Sequence, residues 1–262
     1  PILHFCRSFL DNDRVFAPNT FEKICSEAGY NDMKHRTYSV DFSVSKAKDS
    51  VRIVAKTRVA PPIHRHGIDV EYVYDIASDG TILLTVSGTP KGEKMPHFPR
   101  LGLQFRMPAP IDTALWYGLG LGEAYADSKM AQRVGVYQAS IASLHTPYVY
   151  PQENGNREDV RRVALYDRHM AGLLAVGSPL LNFTAHRYTT EALNAAKHQC
   201  ELEQNDDLIV NLDWKQCGVG TGSCGPQTFE QYRIPVEPFK FTFKLKGIVP
   251  GELDSKSFFS LA

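Results

Sequence analysis

A chain of 262 residues can bury a substantial core, either as one large all-β unit or as two small domains. Its 29 basic residues balance 29 acidic ones, so there is no electrostatic case for nucleic acid or an anionic membrane surface, and no run of 18 apolar residues is present to span a bilayer. The 14 Phe, 12 Tyr, 19 Gly and 16 Pro favour short strands joined by tight turns, and five cysteines, an odd number in a chain this long, argue for free thiols over a disulfide framework.

The chain starts at Pro1 with neither an initiator Met nor a signal-like leader, which reads as a piece excised from a longer polypeptide. Asn19-Thr20-Phe21-Glu22 signals the first helix, a cap with Glu three residues on. Phe21, Ile24 and Cys25 give that helix an apolar stripe, and Gly29 can end it in the left-handed region. Period-two alternation then takes over. Tyr38, Val40, Phe42 and Val44 alternate with Ser39, Asp41 and Ser43, and Ile68, Val70, Tyr72, Tyr74 and Ile76 with largely acidic partners, which predicts half-buried antiparallel strands. Between them His64 and His66 follow Pro61-Pro62 in an inter-strand turn and read as solvent-exposed side chains, not metal ligands. Ser78-Asp79-Gly80 supplies a hairpin turn, Leu101, Leu103, Phe105 and Met107 mark another strand, and a second helix is expected over residues 190–198. The alternation is clearest at Phe239, Phe241, Phe243 and Leu245, with Lys240, Thr242 and Lys244 facing the other way. No repeat, low-complexity tract or Gly/Ser linker divides the chain. These elements predict one all-β domain, an antiparallel β-sandwich over residues 1–247, followed by a C-terminal tail over 248–262.

Just before that last strand stands Cys217-Gly218-Val219-Gly220-Thr221-Gly222-Ser223-Cys224-Gly225-Pro226. So dense a run of small residues buries almost nothing; it shapes a loop whose backbone another group approaches closely, with Pro226 fixing the exit. The spacing of Cys217 and Cys224 is unlike a Cys-x-x-Cys zinc or redox pair.

Together with three further segments, the run resembles the C-terminal small-chain domain of large bacterial β-galactosidases of glycoside hydrolase family two. Phe5-Cys6-Arg7-Ser8-Phe9-Leu10-Asp11-Asn12-Asp13 is similar to the family's opening, Trp116-Tyr117-Gly118-Leu119-Gly120-Leu121-Gly122-Glu123-Ala124-Tyr125-Ala126-Asp127 to a second block, and Pro151-Gln152-Glu153-Asn154-Gly155-Asn156-Arg157-Glu158-Asp159-Val160-Arg161 to a third, all in the family's order. The resemblance implies a galactose mutarotase-like super-sandwich with its catalytic glutamates elsewhere, in a (β/α)₈ barrel of the same polypeptide. This chain would then be silent alone. It would close one side of a galactoside pocket and brace the barrel, in a bacterial parent that is cytoplasmic or periplasmic and commonly homo-oligomeric. No cofactor is implied for this domain; Mg or Na ions of the parent would sit mainly in the barrel.

The resemblance also implies which residues line the pocket. Cys224 stands where many members place a tryptophan platform under the sugar, which reduces that platform to a small polarisable surface. Asp13, Arg14 and Val15 begin the loop that lies beside the pocket in family members; Val15 replaces a glycine found in some of them, and a β-branched residue there is stiff. Arg157 and Arg161 are expected to make buried ion pairs. The acids Asp11, Asp13, Glu153, Glu158, Asp206 and Asp207 form no evident pair for glycoside hydrolysis. Two other readings stay open: a free-standing mutarotase-like sugar epimerase, needing a His and a carboxylate across one concave sheet, and a carbohydrate-binding module, needing Trp116 and Trp214 exposed.

Overall fold

The computed structural model describes residues 1–14, 20–220, 228–251 and Phe258. The short strand β1 (Ile2–His4) leads into two helices, α1 (Asp11–Arg14) and α2 (Phe21–Glu27). Thr20 caps α2 by accepting the Lys23 amide at 3.2 Å, one residue later than Glu22's three-residue spacing indicates, and Gly29 follows with φ +71°, as the glycine signal predicts. A meander of β2 (Lys34–Val44), β3 (Ser50–Ala60), β4 (Gly67–Ala77) and β5 (Ile82–Lys91) comes next. Gly80, at φ +78°, turns β4 into β5. The rest comprises β6 (Arg100–Met107), β7 (Thr113–Gly120), β8 (Arg133–Ser140), α3 (Ile141–Leu144), β9 (Arg157–Tyr166), β10 (Gly172–His186), α4 (Thr190–Ala195), β11 (Leu208–Gln216) and β12 (Phe239–Ile248). The second helix stops short of the expected residue 198; a separate 3₁₀ turn over Gln199–Glu201 follows.

All pairings among the described strands are antiparallel, in the order β1-β6-β11-β10-β12-β5-β4-β3-β2, with β9 on β10 and β7 between β8 and β9. Two strands organise this sheet. β10 has β9 along one side, with register shifts between Val176 and Leu181 and between Leu181 and Phe183, while its other side pairs first with β12 and then with β11. β12 is the hydrogen-bonded link between the two halves, joining the meander through β5 to the remainder through β10. Its inward residues meet like with like: Phe241 opposes Val86 and Phe243 opposes Leu84. Behind them stand Trp214, whose ring stacks on Phe241, and a core containing Trp116, Phe183 and Phe98.

β2 departs from expectation. It is the last strand of the sheet and is exposed along almost its whole length on both faces, with Val40 62%, Phe42 77% and Val44 54% exposed. The alternation marks the face that continues the core, but the layer covering that face at β4 and β5 does not reach the edge. A register shift between Thr37 and Ser39 also leaves Tyr38 as an extra residue. His66 is a second correction: it is buried, not exposed, with Nε2 2.9 Å from the Ala28 carbonyl, so it ties the inter-strand turn to the end of α2. In the tail, Phe258 is buried against Ala164, Tyr166, Leu174 and Ile248, and its carbonyl accepts from Arg162.

Candidate functional site

The opening segment folds around one ion pair. Fully buried Arg7 meets Asp13 with Nη1 2.9 Å from Oδ2, and also donates to the Ser8 carbonyl at 3.2 Å and the Gly218 carbonyl at 3.5 Å. Asp13 accepts the Leu10 amide at 2.9 Å. Charges removed this far from water persist only when paired and hydrogen-bonded, and this pair is both. Beside it the Asn194 side-chain oxygen on α4 accepts from the Ser8 hydroxyl, the Phe9 amide and Arg14 at 2.8, 2.9 and 3.3 Å. Arg14 also lies 4.8 Å over the Tyr150 ring and pairs with Glu22 at 3.5 Å.

The stem of the glycine run, residues 217–220, arrives against this segment. The Cys217 amide donates to Pro99 and the Gly218 amide to Tyr232, both at 3.0 Å, while the Thr228 hydroxyl donates to the Gly218 carbonyl at 3.0 Å. Asp127 then accepts the next two amides in succession, Val219 on Oδ1 and Gly220 on Oδ2, each at 2.9 Å. From the other side Asn12 Nδ2 donates to the Val219 carbonyl at 3.1 Å. A Cβ on Gly218 would lie 2.4 Å from Asp127 Oδ2; one on Gly220, where φ is +112°, would lie 2.4 Å from Asn12 Nδ2. The groups that approach this backbone closely therefore come from the chain itself.

The Asn-Gly-Asn turn completes the assembly. Asn156 brackets Ala124, its carbonyl accepting the Ala124 amide at 2.8 Å and its side chain donating to the Ala124 carbonyl at 2.7 Å. Glu123 accepts the Gly155 amide at 2.8 Å and the Thr146 hydroxyl at 3.0 Å. Gln152 Oε1 receives the Asp11 amide at 3.2 Å. Beneath them Arg100 holds Glu153 through Nη2 at 3.0 Å and Asp213 through Nε at 2.9 Å, and Gln216 adds a second donor to Glu153 at 3.0 Å. Burial pushes the Asp213 carboxyl up to about 7 against the pull of Arg100. At the margin Lys129 joins Glu158 at 3.4 Å and Asp159 at 2.8 Å, and burial pushes the Glu158 carboxyl up to about 7. Four segments far apart in sequence thus meet at one corner of the sheet.

Of the expected site residues, Asp13 and Arg14 lie at this corner, Asp13 turned inward and Arg14 half-buried; Val15 and Cys224 lie outside the described residues. Arg157 and Arg161 correct their expectation. Neither has a carboxylate at salt-bridge distance among the described residues; Arg157 donates to the Gly155 carbonyl at 2.7 Å and lies 5.6 Å over Trp116, and Arg161 donates to the Asp159 carbonyl at 2.8 Å and lies 5.2 Å over Tyr117. Aromatic faces and backbone carbonyls serve these guanidiniums where carboxylates do not reach. Trp116 is fully buried with Nε1 donating to the Leu119 carbonyl, and the half-buried Trp214 stacks on Phe241 with Lys215 Nζ 4.4 Å from its ring centroid. Among the described residues no three His, Cys, Asp or Glu side chains gather so as to hold a metal ion, and no helix is long and apolar enough to cross a membrane. Sequence reasoning missed Arg100, Asp213 and the role of Asp127. In Leu212-Asp213-Trp214 the alternation assigns the acid to a wet face, whereas β11 is buried on both faces over most of its length.

Fold and corner together define an all-β antiparallel domain whose charged groups are engaged in fixing its own loops. The chain belongs to the beta galactosidase small chain family, whose profile matches residues 1–245. It is 29% identical over 239 residues to a beta-galactosidase of Actinobacillus pleuropneumoniae, covering 91% of this chain and 22% of that protein. It is 35% identical over 177 residues to one of Priestia megaterium (67% and 17%), and 29% identical over 214 residues to one of Kluyveromyces lactis (81% and 21%). The chain therefore spans between 17% and 22% of the length of these relatives. Among solved structures it aligns with a galactose 1-epimerase from Lactobacillus acidophilus at a TM-score of 0.42 and 11% identity, over 81% of this chain and 67% of that one.

Proposed function

We propose that this chain serves a β-galactosidase-type glycosidase as the domain that completes one wall of its galactoside pocket, the catalytic carboxylates being supplied by a (β/α)₈ barrel in the rest of the polypeptide. The observation that carries this reading is the corner itself. The opening segment, residues 123–127, the Asn-Gly-Asn turn and the glycine stem hold residues 11–14 and 217–220 against one another, in a domain amounting to about a fifth of its relatives. In this reading Arg14, Val15 and Cys224 face the sugar while Asp13 anchors the loop from within. Mg or Na ions used by the parent are held outside this chain, and the parent is a homo-oligomer.

The isolated chain is expected to be silent, because its buried acids already have partners: Glu153 and Asp213 on Arg100, and Asp13 on Arg7. An epimerase would need a His beside a carboxylate in a pocket, but the His–carboxylate pair among the described residues, His198 with Glu201 at 2.7 Å, is exposed. A binding module would need open aromatic faces, whereas Trp116 is fully buried and the Trp214 ring is stacked on Phe241. The test is hydrolysis of a chromogenic galactoside by the isolated chain, by the full-length enzyme and by that enzyme carrying Cys224→Trp. A silent chain and an altered KM or substrate preference in the variant are expected. Turnover by the isolated chain would refute the reading.

A further inference from the structure

Asp127 fixes the glycine stem, and we propose that it is a positioning residue for the galactoside pocket, setting the place of the stem, residues 217–220, within the domain. This rests on the pocket-wall reading. The Asp127 carboxylate takes two consecutive backbone amides, Val219 and Gly220, at 2.9 Å each, the arrangement by which a run of N–H groups holds an anion. Among the described residues no Lys, Arg or His lies at salt-bridge distance from it, so the loop backbone answers its charge directly, through bonds roughly twice as strong as neutral ones.

Its support is stiff. Asp127 sits in a turn closed by the Ser128 amide on the Tyr125 carbonyl at 2.8 Å, held on one flank by Asn156 and on the other by Lys129, which grips Glu158 and Asp159. Asn12 pins the opposite side of Val219, and the absence of a side chain at Gly218 admits the carboxylate. Asn12 thereby sets the opening segment against the glycine stem, while Asp127 ties the stem to the turn after Tyr125. Asp127 meets no substrate in this scheme; it acts through the stem.

Two measurements test it. Hydrogen exchange on the 262-residue chain should show the Val219 and Gly220 amides protected, with protection falling roughly tenfold or more in Asp127→Asn, whose amide group cannot accept both bonds, while β12 amides stay unchanged. In the full-length enzyme Asp127→Asn should raise KM for a galactoside with kcat nearly unchanged, and Asp127→Glu should recover part of the loss. Equal exchange of Val219 and Gly220 in wild type and variant overturns the proposal, as does a Cys224→Trp effect on KM with none from Asp127→Asn. If neither substitution moves KM, the pocket-wall reading has failed, and the proposal with it.

Discussion

Glu158 shows how burial and charge compete at a single residue. Its carboxyl is pushed up to about 7 by burial, while Lys129 at 3.4 Å opposes the shift. An acid whose folded pKa exceeds its unfolded value costs stability as pH rises: the unfolded chain ionises near 4.5, the folded one resists until about 7, and the loss is complete above that. Glu158→Gln is therefore expected to be more stable than wild type at pH 8, by up to about 3 kcal/mol at 1.4 kcal/mol per pH unit, with no gain at pH 4. Urea melts at the two pH values check this; an equal effect at both would show that Glu158 is not held neutral. His186 works in the other direction, its pKa lowered to about 4 by burial, so its share of stability is lost as pH falls below its ordinary range. At this scale the sequence was readable where backbone geometry dictates the residue. The glycine run demanded close approach, and Gly218 and Gly220 receive it. It was unreadable where a side chain has several possible partners: nothing in the order of residues tells Arg157 to choose Trp116 and a carbonyl, or brings Asp127 to a loop more than 90 residues away.

The strands carry the same lesson one level up. β2 and β12 display the same alternation of aromatic or aliphatic residues with polar ones, yet Phe42 is 77% exposed and Phe243 fully buried. Alternation reports which face of a strand is apolar; whether a second layer lies over that face depends on the strand's place in the sheet, which is set by partners distant in sequence. The difference is measurable. Phe243→Ala is expected to cost about 3–5 kcal/mol, the usual range for a buried phenylalanine, whereas Phe42→Lys should stay within about 0.5 kcal/mol. Chemical denaturation of both variants decides it, and comparable losses would mean that β2 is covered in solution. Element type and the helix start, to within one residue, were legible because they rest on local chemistry. The expected sandwich class holds, but the sequence could not show that its halves are hydrogen-bonded through one strand.

Across the whole molecule that strand is β12, which alone among the described strands joins the β2–β5 meander to the other half. A chain ending at residue 238 is expected to lose the single cooperative transition of the complete chain and to self-associate through the uncovered edges of β5 and β10, as seen by circular dichroism melting and sedimentation. Retention of one sharp, monomeric transition would show that core packing suffices without the ladder. The position of β12 also bears on synthesis. On the ribosome the meander is complete once Lys91 has emerged, but its inner edge must wait for Phe239, a delay on the order of ten seconds at ordinary elongation rates. For that interval the nascent chain carries an open, apolar strand edge, so its yield in a cell should depend on chaperone supply and translation speed more than its finished stability suggests.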